Sequence, residues 1–406
     1  MQTTLDKQFE QDVFPQNAKD NTQAQAAAAC VDNATGAVRA VVGGRSYTTR
    51  RGLNRATQLR RQPGSALKPL AVYAPAIEYS GWTCASAILD EPTDFGGYKP
   101  RNAGNSYYGY VSMRTALKSS LNIPAVKVLR SIGVENGRRY LQSVGIPLDE
   151  RDANLSLALG SMTYGASPVQ MAAAYAPFAN GGFFREPYFI ERITDRDGRV
   201  VYQHVESASR VLSPQSAYLM TSMLQTVVTA GTGTRLSTAG VQVAGKTGTV
   251  NMQAYTPEIS VAVWMGFDHP DDSHRLSSRV SGGTNPATLA RNFLKAYYQN
   301  RSKPVFQKPE GIVSLEIDQK ALKWKGETAL ASSLTPKSYR VSEVFAASNQ
   351  PTRISNVWAA PASAKSFYVT HDNDGQPVLV IEPAADAVYR VQRDAVGESF
   401  ILTELR

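Results

Sequence analysis

The chain has 406 residues, 42% hydrophobic and 19% charged, with a formal net charge of +9. That composition supplies a sizeable core, excludes wholesale disorder, and leaves room for one large domain and a small one or for two to three ordinary domains. The basic excess suits an ordinary soluble surface or attraction to an anionic polymer or membrane surface; nucleic acid is not indicated, because no tight Lys/Arg cluster is interleaved with aromatics.

No signal peptide and no apolar run of about eighteen residues occur, so the chain as given is not expected to span a membrane. Met1-Gln2-Thr3-Thr4-Leu5-Asp6 reads as the middle of a folded region, so a soluble piece of a longer protein is expected. Residues 1–29 begin with a short β-prone piece and continue as a polar, Gln/Ala-rich stretch. Cys30 to Val42 alternates as a strand broken by Asn33-Ala34-Thr35-Gly36, a hairpin signal. The densest basic run, Arg50, Arg51, Arg55, Arg60 and Arg61, leads into Pro63-Gly64 and a predicted helix from Ser65 to Tyr79, closed by Gly81. Pro69 is tolerated there because it lies near the first turn.

A helix from Ser112 to Ser119, with Ser112 as N-cap, is followed by Asn122-Ile123-Pro124, which reopens a helix to about Ile132. Residues 154–180 are predicted mostly helical, ending at Gly181-Gly182. Pro214 starts a helix that stops at Gly231-Thr232-Gly233. Val241 to Val250 and Ile259 to Asp268 alternate as strands, and a helix from Pro286 to about Gln299 follows. Helices in the middle with strands at both ends argue for an α+β domain whose one sheet is assembled from distant segments. Beyond Lys303 the texture is mixed, with a short strand at Ile312 to Ile317. Four β-rich runs, Ser366 to Thr370, Val378 to Ile381, Val388 to Gln392 and Phe400 to Leu402, then suggest a small β-module. The two cysteines, Cys30 and Cys84, have no metal-type spacing and are expected to be unpaired thiols.

Three motifs stand in order: Ser65-Ala66-Leu67-Lys68, Ser120-Leu121-Asn122 and Lys246-Thr247-Gly248-Thr249. Ser65 follows a glycine at a helix start, where free N–H groups favour a developing negative charge. Lys68, one turn on, returns over the same face, and a desolvated lysine near another cation can serve as a base. Ser120 and Asn122 fall in a break between helices; Ser120 can relay a proton, and Asn122 can bind a substrate amide or orient Lys68. Lys246 and the threonine hydroxyls of the third motif can grip a carboxylate, while Gly248 admits a ligand close to the backbone. Each motif alone also fits a bland surface helix, a helix cap or an edge strand; the ordered trio is a serine acyl-transferase set working without histidine. Gly240 to Thr247 also fits the P-loop pattern, but the residues inside it read as a strand with no helix following, so nucleotide binding is not expected. His204, His269, His274 and His371 lie near no nucleophile motif. The His269–His274 stretch with Asp271 and Asp272 reads as a solvated loop rather than a metal site. No metal and no cofactor is expected.

With its flanks, the trio resembles the transpeptidase domain of class A, bifunctional penicillin-binding proteins over most of residues 1–350. The flanks include Gln2-Thr3-Thr4-Leu5-Asp6, Asn54-Arg55-Ala56-Thr57, Arg61-Gln62-Pro63-Gly64, Ala158-Leu159-Gly160, Ala172 to Gly182, Gly231-Thr232-Gly233 and Ala262-Val263-Trp264-Met265-Gly266. The resemblance implies an α+β fold: an antiparallel sheet sandwiched by helices, with an all-helical subdomain, of the penicillin-binding and serine β-lactamase type. The expected division is a transpeptidase domain over 1–305, a tail or linker over 306–352, and the β-rich module over 353–406, whose role is open.

The resemblance also implies the chemistry. Ser65 attacks the D-Ala-D-Ala bond of a peptidoglycan stem peptide, D-Ala leaves, and an amine of a neighbouring stem takes the acyl group. Lys68, Ser120, Asn122 and Lys246 are the implied catalytic companions; Thr247, Gly248 and Thr249 bind substrate, and the N–H groups of Ser65 and Thr249 form an oxyanion hole. β-Lactams would acylate Ser65. A glycosyltransferase domain and membrane anchor are expected before residue 1, so membrane contact is expected only through an anchor that this chain lacks. The expected place of work is the outer face of the bacterial cytoplasmic membrane, within cell-wall synthesis complexes. One departure is that Val250 to Ala254 reaches Tyr255-Thr256-Pro257 about five residues early, so the hairpin beside the site is expected to be shortened. A class A β-lactamase is the rival enzyme reading, since Glu150 and Asn154 imitate its deacylating pair, but Leu121 stands where that group has Asp. A non-catalytic β-lactam sensor or wall-binding module is the rival of another class, and a pure binder has no need of Lys68 or Ser120.

Overall fold

Strands separated by more than two hundred residues meet in one five-stranded sheet, and that meeting positions everything else. The computed structural model describes residues 1–358 apart from 12, 16–18, 20–21, 47–49, 270, 272–273 and 278, together with the backbone of four later strands. In chain order, α1 (Gln2–Phe9) precedes the hairpin β1 (Gln25–Asp32) and β2 (Val38–Val42). A 3-10 turn, Gly64–Leu67, and a π turn, Pro69–Tyr73, run into α2 (Ala74–Ser80). Then come β3 (Ala87–Asp90), β4 (Gly109–Ser112), α3 (Met113–Lys118), α4 (Asn122–Ile132), α5 (Val134–Ser143) and α6 (Pro168–Ala179). Four short strands follow, β5 (Phe183–Phe184), β6 (Arg192–Thr194), β7 (Val200–Gln203) and β8 (Ser209–Arg210), then α7 (Pro214–Ala230). The sheet is completed by β9 (Ala244–Thr247), β10 (Asn251–Tyr255) and β11 (Ile259–Gly266), before α8 (Asn285–Tyr297). Last come β12 (Ile312–Asp318), α9 (Gln319–Lys325), β13 (Arg340–Ala346), β14 (Ser366–His371), β15 (Pro377–Glu382), β16 (Val388–Arg393) and β17 (Phe400–Leu405).

The main sheet has the order β2-β1-β11-β10-β9 and is antiparallel throughout, so β9 forms one edge. All eight residues of the central strand β11 are buried, because helices cover both faces. Val261, Val263 and Met265 point into a core shared with α1 and α8, while Ala262 points into the larger core that holds α2 to α7. Successive residues alternate faces, so one strand feeds both cores. The α+β reading is realised: the sheet lies between α1 and α8 on one side and α6 and α7 on the other. Among the described residues no helix is long and apolar enough to cross a membrane.

Four local expectations change. The β-prone opening is the helix α1, whose Leu5 and Gln8 are buried; its packing against β2 and α8 overrides a weak local preference. The strand read from Cys30 starts five residues earlier, since Gln25 to Ala29 of the Gln/Ala-rich stretch already belong to β1. Alanine is a poor strand former, but Ala26 to Ala29 are fully buried, and their small side chains suit a strand covered on both faces. The predicted helix Ser65 to Tyr79 is really three pitches in series. Pro69 has no N–H to continue an α ladder, and Ala74 N–H instead bonds Pro69 O in the wide i+5 pattern. Within 154–180, a 3-10 turn Leu155–Leu159 and the helix α6 are separated by a non-helical stretch, which begins with Gly160 in the left-handed region. The shortened segment after Thr249 folds as a closed hairpin: Gly248 N–H bonds Asn251 O at 2.8 Å, and Gln253 pairs with Lys246.

Residues beyond 306 are fastened to this body. β12 and β13 pair along seven residues, α9 packs on β4, and β13 packs on α7. The fastening is ionic at its centre. The Arg114 guanidinium holds Glu343 through two bonds of 2.7 and 2.5 Å and also donates to Ser222 O and Thr226 Oγ1 at 2.8 Å. Further on, Trp358 donates its indole N–H to Asp318 at 2.7 Å, beside the Lys320 ammonium that lies between Trp324 and Trp358. β14 to β17 form a four-stranded antiparallel meander on the four predicted β-rich runs; the connections between them lie outside the described residues.

Arg114→Ala leaves Glu343, whose side chain is 4% exposed, as an uncompensated buried charge. We expect it to destabilise the protein by about 3–5 kcal/mol. Urea unfolding monitored by circular dichroism measures this, and an unshifted midpoint would refute the clasp.

Candidate active site

The nucleophile turn is set by its short pitch. In a 3-10 helix side chains at i and i+3 eclipse, which stacks Lys68 beneath half-exposed Ser65. Neighbouring backbone crowds this turn. Gly160 packs against the Gly64 carbonyl where a Cβ would stand, and Tyr175 donates its hydroxyl to Ala66 O at 2.5 Å. On the sheet side, a Cβ on Gly248 would meet Pro63 O at 2.5 Å, so glycine is what lets the edge of the sheet touch the turn. Thr249 Oγ1 lies against Gly64. The N–H groups of Ser65 and Thr249 have no partner among the described residues, and Thr249 N lies 3.5 Å from where a Cβ on Gly64 would stand, beside the nucleophile turn.

The second motif is a strained corner between α3 and α4. Ser120 has φ +57°, a left-handed conformation uncommon for a residue with a Cβ. Its N–H bonds Leu117 O at 3.1 Å and the next N–H bonds Ala116 O at 2.9 Å. The corner turns the Ser120 and Leu121 carbonyls and the Asn122 amide inward onto Lys68. Lys68 Nζ donates to Ser120 O at 2.6 Å, Asn122 Oδ1 at 2.7 Å and Leu121 O at 3.0 Å. Asn122 Nδ2 donates to Arg101 O at 2.6 Å, which fixes the orientation of the amide.

Two residues missed in the sequence hold this corner. The N-cap residue of α4 is Leu121, which offers no side-chain acceptor. Asn102 supplies it from outside: its Oδ1 accepts from Asn122 N–H at 2.7 Å and Ile123 N–H at 3.2 Å. Asn102 Nδ2 donates in turn to both oxygens of Asp90 and to Ser106 O. Asn102 and Asp90 are 4% and 1% exposed, so this is a buried polar chain with every member paired. The only sequence signal was an Asn after Lys99-Pro100-Arg101, which looks like any turn.

The third motif brings the second amine. Lys246 Nζ is 2.8 Å from Ser120 Oγ and donates to Thr247 O at 2.9 Å, while Lys68 Nζ lies 3.5 Å from the same Ser120 hydroxyl. Thr247 Oγ1 meets Thr232 Oγ1 at 2.7 Å, which gives the Gly231-Thr232-Gly233 turn a place in the wall. Gly282 N–H ties down the far side of the turn through Thr249 O at 2.9 Å. The structure therefore brings Ser65, Lys68, Ser120, Asn122, Lys246, Thr247, Gly248 and Thr249 into one cleft at the sheet edge.

Both lysines are fully buried, and neither bonds a carboxylate among the described residues. Burial pushes the Lys246 amine down to about 7. Burial, and then the charge of Lys246, push Lys68 well below its ordinary value. Against that push, three acceptor oxygens surround Lys68 and favour its ammonium. Two amines sharing one hydroxyl in a dry pocket do not both keep their charge near neutral pH. The Ser120 hydroxyl thus lies within reach of both amines, and Ser65 Oγ has no partner among the described residues.

Other candidates fall away from this cleft. Ala244–Thr247 of the P-loop pattern is strand β9, with no phosphate-cradling loop or following helix. His204 stacks on Tyr188, and His274 pairs with Asp271 at 3.2 Å. Asp272 lies outside the described residues, and among those described no group of three metal-ligating side chains sits together. Cys30 and Cys84 are free and buried, and burial raises both thiols. Glu150 is exposed on a 3-10 turn; Asn154 caps the next turn by accepting from Ser156 N–H.

A helix-flanked antiparallel sheet whose edge brings two buried lysines to a half-exposed serine corner is the architecture of a class of acyl-transferases. Comparison with known proteins places the chain within that class. The penicillin-binding protein transpeptidase domain matches residues 26–278, and the chain belongs to that family. It is 41% identical over 305 residues to penicillin-binding protein 1F of Bacillus subtilis, covering 72% of this chain and 41% of that protein. It is 33% identical over 358 residues to penicillin-binding protein 1A of Pseudomonas aeruginosa, covering 73% and 43%. The chain thus spans about two fifths of the length of these relatives. Among solved structures, penicillin-binding protein 1A from Haemophilus influenzae superposes with a TM-score of 0.70 at 27% identity, over 83% of this chain and 55% of that one. PonA1 from Mycobacterium tuberculosis, solved in complex with penicillin V, shares the fold with a TM-score of 0.65 at 24% identity, over 76% and 86%.

Two outcomes test this geometry. Asn102→Ala removes the external cap and leaves Asp90 with only the Tyr108 N–H at 3.1 Å; a stability loss of about 1–3 kcal/mol is expected in chemical unfolding. The lysine pair predicts a pH dependence. Lys246 binds a proton more weakly in the folded chain than at its ordinary 10.5, so its burial cost is full below about 7 and vanishes as pH climbs toward 10.5. Wild type should therefore gain melting temperature relative to Lys246→Met as pH rises through that window. A constant difference would show that Lys246 carries no such shift.

Proposed function

We propose that this chain is the D,D-transpeptidase domain of a peptidoglycan synthase, a serine acyltransferase that cross-links stem peptides and reacts covalently with β-lactams. One observation carries the reading. Two buried lysines share the hydroxyl of Ser120, one of them a single turn from Ser65, and among the described residues no histidine or carboxylate bonds either amine to do their work.

Lys246 and the Thr247 and Thr249 hydroxyls take the terminal carboxylate of a D-Ala-D-Ala donor. The scissile carbonyl oxygen then faces the free N–H groups of Ser65 and Thr249. Lys68, giving up one of its three contacts, receives the Ser65 proton as Oγ bonds to the carbonyl carbon. When the C–N bond breaks, the departing D-Ala nitrogen takes a proton relayed through Ser120 from the lysine pair. An ester on Ser65 remains. The amine of a second stem attacks it, loses a proton to the same relay, and restores the Ser65 hydroxyl. Asn122, its amide fixed by Arg101 O, offers a hydrogen bond to the donor backbone or holds Lys68 in line. Such a substrate lies outside the cytoplasmic membrane, which puts the site on the extracytoplasmic face, alongside other cell-wall synthesis proteins.

The hydrolase alternative is disfavoured by Leu121 in the second motif and by Glu150, which is exposed and forms no bond into the cleft. The sensor alternative leaves the cost of two buried amines without a purpose.

Incubation with penicillin should add one equivalent, mapped to Ser65 by peptide mass spectrometry. Lys68→Ala should slow that step by about 10²–10⁴-fold, the usual share of a general base. The adduct should persist for many minutes, and Glu150→Ala should not lengthen its life. A label elsewhere, or an undiminished rate in Lys68→Ala, would remove the acyl-transfer assignment. A wild-type adduct that vanishes within seconds yet is trapped by Glu150→Ala would make the protein a β-lactamase.

A further inference from the structure

A cavity of about 410 Å³ lies at the seam between the body that carries the cleft and the segment beyond residue 306. Its walls come from the end of α2, the start of α7 and the turn after β13. It shares no lining residue with the cleft. The helical run that begins at Ser65 reaches this seam only at Gly81, roughly 24 Å further along at about 1.5 Å per residue. The volume suits one small-molecule unit.

Part of the lining is aromatic and part is rich in hydrogen-bond acceptors. Tyr79 and Trp82 supply the aromatic part, and the Trp82 indole N–H has no partner among the described residues. Two amides are oriented by their nitrogen ends. Gln215 Nε2 donates to Glu310 O and Asn349 Nδ2 to Gly81 O, both at 2.9 Å. Gln215 Oε1 and Asn349 Oδ1 are thereby fixed as acceptors, and neither has a partner among the described residues. Asn349 comes from the turn after β13, so the segment beyond 306 completes the site.

Acceptors beside aromatic rings suit either an ammonium group or the hydroxyls of a sugar, and charge decides between them. Glu78 is the charged side chain in the lining, and it is already engaged. Both its oxygens accept from Ser213 N–H at 3.1 Å, and one accepts from Ser213 Oγ at 2.9 Å. Ser213 is the N-cap of α7, so the carboxylate sits at the positive end of a 17-residue helix. Arg139 adds a second positive group, its guanidinium lying 4.5 Å over the Tyr79 ring. A cation therefore gains little here. A neutral sugar ring meets fixed acceptors for its hydroxyls, an indole N–H for one of its oxygens, and aromatic faces for its C–H groups. We infer that this cavity binds a neutral sugar ring. On the acyl-transfer reading above, the ring belongs to the glycan strand from which the stems hang; that link rests on the reading, and the sugar site does not.

The test titrates the full chain with the β-1,4-linked tetramer of N-acetylglucosamine, followed by ligand-observed NMR, with penicillin labelling of Ser65 as a separate readout. Wild type should bind the tetramer saturably. Asn349→Ala and Gln215→Ala should each weaken binding by about three- to tenfold, the scale of one hydrogen bond. Trp82→Phe, which keeps a ring and loses the N–H, should weaken it by a similar factor. All three variants should label with penicillin as wild type does, which reports an intact fold. Tetramethylammonium should not displace the sugar. No saturable binding by wild type, undiminished binding in all three variants, or displacement by tetramethylammonium overturns the sugar site alone. A wild type that binds the tetramer but does not label with penicillin supports the sugar site, and overturns the acyl-transfer reading and the link to the glycan strand.

Discussion

Everything in the cleft depends on one hydroxyl placed between two amines that have been taken out of water. Ser120 Oγ lies 2.8 Å from Lys246 and 3.5 Å from Lys68. In water two ammonium groups at such spacing would repel weakly; in a dry pocket the repulsion and the lost hydration push protons off. Stability is spent to hold them there, because an apolar pair of similar size would fit such a pocket at lower cost. What the protein gains, on the acyl-transfer reading proposed above, is a path for a proton between Lys68, Ser120 and Lys246. The left-handed backbone at Ser120 belongs to the same arrangement, since it aims two successive carbonyls at Lys68.

No single element could make this constellation. Ser65 and Lys68 come from a short-pitch turn at the head of a buried helical segment, Ser120 from a corner between two helices, and Lys246 from the edge strand. Contact between them needs backbone to approach backbone, which is why Gly160 packs on the Gly64 carbonyl and Gly248 on Pro63. Behind that first layer, Asn102 and Asp90 hold the corner, while Thr232 holds the strand through Thr247. Asn102 and Asp90 are buried and fully paired, and Thr232, although exposed, is tied to Thr247, so the inner groups are held firmly rather than loosely.

Much of this was legible in the sequence, and the reasons divide by range. Ser112 as an N-cap, Gly81 as a left-handed helix end and Pro214 as a helix start are local effects, and each lies where its chemistry put it. The three motifs could be read because each carries a reactive group in a local context that suits it. Asn102 could not, because capping a helix twenty residues later leaves no mark on its own neighbourhood. The helix α1 and the alanine-rich start of β1 were misread for the same reason: only their packing partners, more than thirty or two hundred residues away, decide what they become. Pro69 was placed correctly as tolerable near a helix start, but the π turn it opens depends on burial around it.

The register of β1 against β11 carries a further consequence, for the order of events in folding. Gln25 faces Gly266 and Asp32 faces Ile259, so the central pair of strands closes loops of well over two hundred residues. Such contacts form late and slowly, because the chain must lose loop entropy before they return anything. The helical part between them can collapse earlier on its own local contacts. Lys68 and the Ser120 corner then exist before Lys246 arrives on the edge strand. During that interval Lys68 already carries the push of its own burial, the larger of the two, while its proton is held by three oxygens and no second charge yet opposes it. The second part of the electrostatic tension, the charge of Lys246 set against Lys68, is therefore loaded by the final strand to dock, so a chain stalled short of that step holds only half of the amine pair.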